Sequence, residues 1–299
     1  MPIPVDAIVT VPPYATFLEE VACHPLVSGF RLNTVMPLKE TPREVLARLS
    51  KLGQPLWVDL KGRQLRVVIP AIPPFTEIKL SHKIKVNTPV DAYFSDGNER
   101  VRVAAVDGDR LIMEDGPRRM IGPGESVNIV DPSLEIEGTL TETDKAYLAA
   151  MKDIGLTKVM LSYVESPQDA QEVRDLLPGA EVALKIETQR GLEFAKRFGN
   201  QHGRLMVARG DLYVEVLHPH KIISAIRVVI NDNKNTILAS RLFESLAWQP
   251  VPVSADITDV AYLLELGYRT FLLGDQVCMK RDSVIAALNL LEAIAGEFE

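Results

Sequence analysis

At 299 residues, with 46% hydrophobic and 24% charged side chains, the chain has the makeup of a soluble globular protein holding one large domain or two smaller ones. Its net charge of −7, with acids and bases interspersed, argues against nucleic acid or an anionic membrane as partner but leaves room for a small anionic substrate. The N-terminal MPIPVDAIVTV has no basic segment, and no apolar run reaches the ~18 residues of a membrane span. No signal peptide and a cytoplasmic location are expected. The two cysteines, Cys23 and Cys278, lack metal-type spacing and read as reduced core thiols.

Apolar runs and amphipathic stretches alternate along the chain. Strands are expected at 7–11, 29–35, 56–61, 158–164, 181–187, 204–211, 236–240 and 270–274. Helical stretches are expected at 42–52, 142–154, 166–177, 191–198, 220–230, 257–266 and 282–295, the last with Ile285, Leu288, Leu291 and Ile294 at helical spacing. Eight strand–helix units over this length predict an α/β fold, a (β/α)8 TIM barrel, which typically needs ~250 residues.

One interval breaks the alternation. From about Val68 to Glu135 there is no convincing helix, only short β-rich runs at 84–86, 90–94, 101–106, 111–114 and 127–130. Turn signals separate them, and Asp107-Gly108 between alternating runs predicts a hairpin. Residues 68–135 are therefore expected to form a small inserted β-domain after the third strand. Residues 1–67 and 136–299 would form the barrel.

Chemistry gathers at the strand ends, where a parallel barrel builds its active site. In Leu184-Lys185-Ile186-Glu187, alternation puts Lys185 and Glu187 on one face of a strand. Asp211 follows 24 residues later in Ala208-Arg209-Gly210-Asp211, the end of the next strand. Two carboxylates and a cation near each other suit a hard divalent metal and an anionic substrate. The plain alternative is a set of rim ion pairs among Lys185, Glu187, Arg209 and Asp211. Arg31 and Arg66 offer planar forks of donors for a phosphate, although Arg66 also reads as a solvated charge at a hinge. Gly210 and Asp211 open a helix whose N–H groups suit a carboxylate. Ser240 reads, from the residues alone, as a helix cap. The five histidines show no ligand spacing, and His218 and His220 read as surface residues.

These strings resemble the pyruvate kinase family. So do Arg31-Leu32-Asn33, Val58-Asp59-Leu60-Lys61-Gly62 with Arg66, and Ala239-Ser240-Arg241-Leu242-Phe243-Glu244-Ser245, in the right order over nearly the whole chain. The resemblance implies a mobile β-barrel lid after the third strand, which agrees with the inserted β-domain. It implies Glu187 and Asp211 as ligands of Mg²⁺ or Mn²⁺, and Lys185, Arg31 and Ser240 as catalytic. Gly210, Asp211, Ser240 and Arg66 would bind substrate. Asn33 and Asp59 match ligands of a monovalent cation, K⁺, but Val35 and Leu60 stand where hydroxyls are expected and leave that site incomplete. Phosphoenolpyruvate or a keto acid, with ADP or ATP, would be the small-molecule partners, and a homo-oligomer lies within what the resemblance allows. Read to its end after an eighth helix, the sequence is expected to lack the family's C-terminal α/β domain.

Departures cluster on the nucleotide side. Thr34-Val35-Met36-Pro37 lacks the family's histidine, and Glu125 replaces a lid lysine three residues before a retained Asn128, bringing negative charge towards a polyphosphate. Tyr213 occupies a glycine position and is expected to crowd the pocket. Gly274-Asp275-Gln276-Val277 replaces Ser-Gly-Glu-Thr. Three readings follow: a divergent pyruvate kinase, a nucleotide-independent Mg²⁺–enolate lyase or aldolase, and a non-catalytic metabolite-binding protein.

Overall fold

The computed structural model describes residues 3–70, 72–216, 218–231 and 233–298. Eight parallel strands close into a barrel: β1 (Asp6–Thr10), β2 (Val27–Asn33), β3 (Leu56–Leu60), β4 (Lys158–Leu161), β5 (Glu181–Ile186), β6 (Arg204–Ala208), β7 (Ile237–Ala239) and β8 (Thr270–Leu273). Each strand pairs with its sequence neighbours, and β1 pairs with β8 to complete the ring. Its helices are α1 (Leu18–Ala22), α2 (Pro42–Leu49), α3 (Glu142–Ile154), α4 (Pro167–Leu176), α5 (Gln189–Phe198), α6 (Arg209–Glu215), α7 (Ile222–Asn231), α8 (Ser254–Leu266), α9 (Asp275–Cys278) and α10 (Arg281–Gly296). All eight expected strands are present. Among the described residues, no helix is long and apolar enough to cross a membrane.

The two faces of each strand have different jobs. Outward residues such as Val58, Leu184 and Val207 join the core shared with the helices. Inward residues Ile8, Trp57, Met160, Ala183, Met206, Ile237 and Leu272 fill the barrel's interior with a second apolar cluster. Two positions further along, the same inward face carries polar side chains: Asp59 after Trp57, Lys185 after Ala183 and Ser162 after Met160. Strand alternation thus stacks a charged layer directly on an apolar floor. Gly29 makes room for that floor, because a Cβ there would stand 3.3 Å from the Trp57 ring and 3.1 Å from the Pro55 carbonyl oxygen.

The loop after β3 leads into the lid. Gly62 turns with φ of 51°, and a Cβ there would come within 2.7 Å of the Ser162 carbonyl oxygen. Buried Asp144, in the capping box that starts α3, accepts from the Lys61 N–H at 2.9 Å and the Gly62 N–H at 3.2 Å. The lid is a six-stranded antiparallel sheet in the order Val127–Asn128, Val90–Phe94, Glu99–Asp107, Arg110–Met113, Glu77–Leu80, Val67–Ile69. An Arg66–Ser126 bridge brings its edge strands together, so the sheet nearly closes on itself. The expected hairpin is present, with Asp107 opposite Arg110 and Gly108 at φ of 60°.

Some boundaries differ from expectation. The strand expected to reach Asp211 stops at Ala208, because the backbone turns helical at Arg209. Strands Val67–Ile69 and Glu77–Leu80 were hidden by the proline-rich run between them. Cys23 is exposed rather than a core thiol, while Cys278 is buried, and both are free.

Candidate active site

The charged layer centres on Asp59, which is fully buried. Its Oδ2 accepts from Arg31 Nε at 2.9 Å and Lys61 Nζ at 3.1 Å, and also from the Arg31 Nη2. Its Oδ1 lies 3.2 Å from Lys185 Nζ. Burial would push the Asp59 carboxyl up, but Lys185, Lys61 and Arg31 outweigh it and hold it well below the usual carboxylate range. Burial pulls the Lys61 amine down to about 7, with Asp59 opposing and Lys185 adding to the effect. Lys185 goes the other way: burial works against its charge, and Asp59 and Glu187 more than offset this.

Lys185 is held on three sides. Its Nζ meets Asp59, Glu187 Oε1 at 3.1 Å and Ser162 Oγ at 2.7 Å. Glu187 and Asp211 are joined through Tyr163, whose main-chain N–H donates to Glu187 Oε2 at 2.8 Å and whose hydroxyl lies 3.1 Å from Asp211 Oδ1. The other Asp211 oxygen accepts from Gln64 Nε2 at 2.7 Å. Burial raises the Glu187 carboxyl, opposed by Lys185 and reinforced by the charge of Asp211. Lid residue Asn128 donates towards Asp211 Oδ1 at 3.3 Å and Glu215 Oε1 at 3.2 Å. Burial pushes the Glu215 carboxyl up to about 8 against that hydrogen bond.

Lys185, Glu187 and Asp211 face one cavity of about 640 Å³ between barrel and lid, which Arg31, Asn33, Arg66, Gly210 and Ser240 also line. Arg31 also reaches Asp275 at 3.0 Å and Thr10 at 3.1 Å. Half-buried Arg66 donates to Gln64 Oε1 at 3.1 Å and to the Gly124 carbonyl at 2.8 Å, so it lies at the lid hinge and on the cavity together. Ser240 follows β7 in the left-handed region, with φ of 71°, and is not a helix cap. A methyl on Gly210 would stand 3.6 Å from the Ser240 hydroxyl and 3.7 Å from Asp96. Arg209 turns away from the carboxylates and forms a two-pronged pair with Asp259, both contacts at 2.8 Å.

Two expectations about the departures change. Tyr213 is partly exposed and sits under the Arg241 guanidinium, 4.3 Å from its ring centre, so it supports the rim instead of filling the pocket. Glu125 lines the cavity as expected, but Arg119 grips it with contacts at 3.1 and 2.7 Å. Burial would raise its carboxyl, yet Arg119, Ser95 and the Gly122 N–H bring it down to about 2. Arg119 thus offsets the Glu125 charge on the spot.

The residues present fit a hard divalent cation. Glu187 and Asp211 present carboxylate oxygens to a polar cavity, the donor type such a cation takes. Among the described residues no three His, Cys, Asp or Glu side chains gather as a ligand cluster, so two carboxylates would carry the protein's share. A monovalent cation fits poorly. Asn33 and Asp59 lie in register on β2 and β3, but Asn33 Nδ2 turns to Asp275 at 2.9 Å and Asp59 already faces three cations.

Sequence reasoning passed over Gln64, Asn128 as a contact of Asp211, the hydroxyl of Tyr163, and Asp275 as partner of Arg31 and Asn33. Tyr163 and Asp275 did stand at strand ends, the one positional signal available for them.

The barrel-domain model of pyruvate kinase matches residues 75–275. A pyruvate kinase of Methanocaldococcus jannaschii is 26% identical over 301 residues, covering 91% of this chain and 65% of the relative. One of Borreliella burgdorferi is 24% identical over 305 residues, covering 91% and 63%. Human pyruvate kinase PKLR is 26% identical over 279 residues, covering 81% and 48%. The chain thus spans under two-thirds of the length of these relatives. With a closed eight-stranded barrel, a β-lid after its third strand and a family match over two-thirds of its length, the chain belongs to the pyruvate kinase family.

Proposed function

We propose that this chain carries out pyruvate kinase-type chemistry on phosphoenolpyruvate and pyruvate, with Mg²⁺ or Mn²⁺ bound by Glu187 and Asp211. The catalytic barrel would take in residues 1–67 and 136–299 and the lid 68–135, with Leu65 and Val67 at the boundary already packed into the lid's core. The observation that carries the reading is Lys185 Nζ, fixed between Asp59, Glu187 and Ser162 on the cavity that Asp211 also lines. The metal, when bound, supplies positive charge to substrate oxygens. Lys185 keeps its proton and directs a fixed ammonium at charge developing on the phosphoryl group or the enolate oxygen. Arg31 and Arg66 flank the anionic substrate, and Asp59 holds Arg31 in place. Gly210 and Ser240 shape the wall, and the lid excludes water.

A nucleotide would accept the phosphoryl group. Glu125 favours a second reading, nucleotide-independent enolate chemistry, because the cavity wall there carries a closed Glu125–Arg119 ion pair and, among the described residues, no free cation for a polyphosphate. Pyruvate formation from phosphoenolpyruvate, Mg²⁺ and ADP tests both, with Lys185→Met protein beside it. Turnover that needs ADP and vanishes in the variant supports the first reading. A folded protein without ADP-dependent turnover removes it and leaves enolate chemistry to be assayed with keto acids.

A further inference from the structure

Tyr163 directly follows Ser162 at the end of β4 with φ of 55°, in the left-handed region that bulky side chains rarely adopt. It is only 6% exposed. In that conformation its two hydrogen-bonding groups go to different carboxylates: its N–H to Glu187 and its hydroxyl to Asp211. The hydroxyl oxygen also accepts from Asn128 Nδ2, and Asn128 lies on the lid strand Val127–Asn128. A phenol has one proton to give. The donors therefore run in one direction, from the lid amide to the Tyr163 oxygen and from the Tyr163 proton to Asp211. The second Asn128 amide proton is shared between Glu215 at 3.2 Å and, as a longer direct contact, Asp211 at 3.3 Å.

We propose that the Tyr163 hydroxyl is a latch that couples lid closure to the placement of Asp211. With the lid seated, Asn128 occupies the phenol oxygen and leaves its proton only Asp211 to serve. With the lid lifted, that restraint goes and the carboxylate can turn. Tyr163 is thus a positioning residue, acting on the cavity through Asp211 and Asn128. The consequence for metal binding rests on the function proposed above, whereas the lid contact does not.

Hydrogen–deuterium exchange of the metal-free chain tests the latch. Tyr163→Phe keeps the ring and removes the hydroxyl. It is expected to speed exchange at lid residues 126–129 roughly five- to tenfold, the worth of one buried hydrogen bond. Exchange in β5 and β6 should stay as it was, which controls for folding. Asn128→Ala, which also loses the contacts to Glu215 and Asp211, should have at least that effect, and the double variant should open the lid no further than Asn128→Ala alone. Unchanged lid exchange in Tyr163→Phe, or two additive effects, overturns the latch. Mn²⁺ titration by calorimetry tests the coupling: affinity should fall severalfold in Tyr163→Phe at an unchanged melting temperature. Equal affinity overturns the coupling to Asp211. No Mn²⁺ binding by the unmodified chain removes the metal reading and that coupling together, and the exchange result alone then decides the latch.

Discussion

Lys185 Nζ and Asp59 Oδ1 stand 3.2 Å apart although 126 residues separate them in the chain. Asp59 is the common counter-ion of Lys185, Lys61 and Arg31. Replacing it with asparagine would leave three buried cations with less compensation, at a cost of about 3–5 kcal/mol. Urea unfolding of Asp59→Asn should show that loss. A midpoint within error of the unmodified chain would mean that the cluster contributes little to stability.

Lys185→Met should lower turnover by roughly 10²–10³-fold or more, the scale seen when one preorganised donor is removed from a developing charge. Asp59 keeps Arg31 and Lys61 in the variant, so the far-ultraviolet circular dichroism should be unchanged. Intact turnover would sink the role given to Lys185.

Glu187→Gln with Asp211→Asn should weaken Mn²⁺ binding at least roughly tenfold, since changes one step further from a metal already cost that much. Calorimetric titration gives the number. Undiminished affinity would place the metal elsewhere.

Gly210→Ala should leave the fold alone, because its new methyl meets only ordinary contacts at 3.6–3.7 Å. The methyl would project between Ser240 and Asp96, however, and should raise KM for substrate by roughly tenfold or more. A KM equal to that of the parent would move the substrate away from this wall.

Glu215 should make the metal-free chain sensitive to pH. Folded, it keeps its proton up to about 8, against an ordinary value of 4.5. A carboxyl raised on folding contributes stability below its unfolded value and loses it as pH rises through the folded one. Relative to Glu215→Gln, the melting temperature should therefore fall between about pH 4.5 and 8 and level off above. Parallel curves for the two proteins across that range would show that Glu215 titrates normally.

The barrel was legible because parallel strands buried on both faces read as continuous apolar runs, as in LMVA of β6. Position along each strand then told which residues would rise to the rim. Partners across the barrel were not legible. Arg31, Lys61 and Lys185 reach Asp59 from β2, the loop after β3 and β5, and no local pattern predicts that meeting. Arg209 and Asp211 are only two residues apart, yet the helical turn sends one to Asp259 and the other into the cavity. Glu125 was legible as a negative charge, but its neutralising partner Arg119 comes from an irregular stretch of the lid with no periodicity to read.

The buried cluster of the lid, from Leu65 to Ile129, shares no residue with either apolar cluster of the barrel. Each body therefore has its own cooperative unit, joined to the other mainly through polar contacts such as those of Asn128 and Gln64. Heat is then expected to melt the smaller unit while the larger stays native. Function would then be lost reversibly below the temperature at which the bulk of the chain unfolds, and the barrel would persist as a competent scaffold on which the lid refolds.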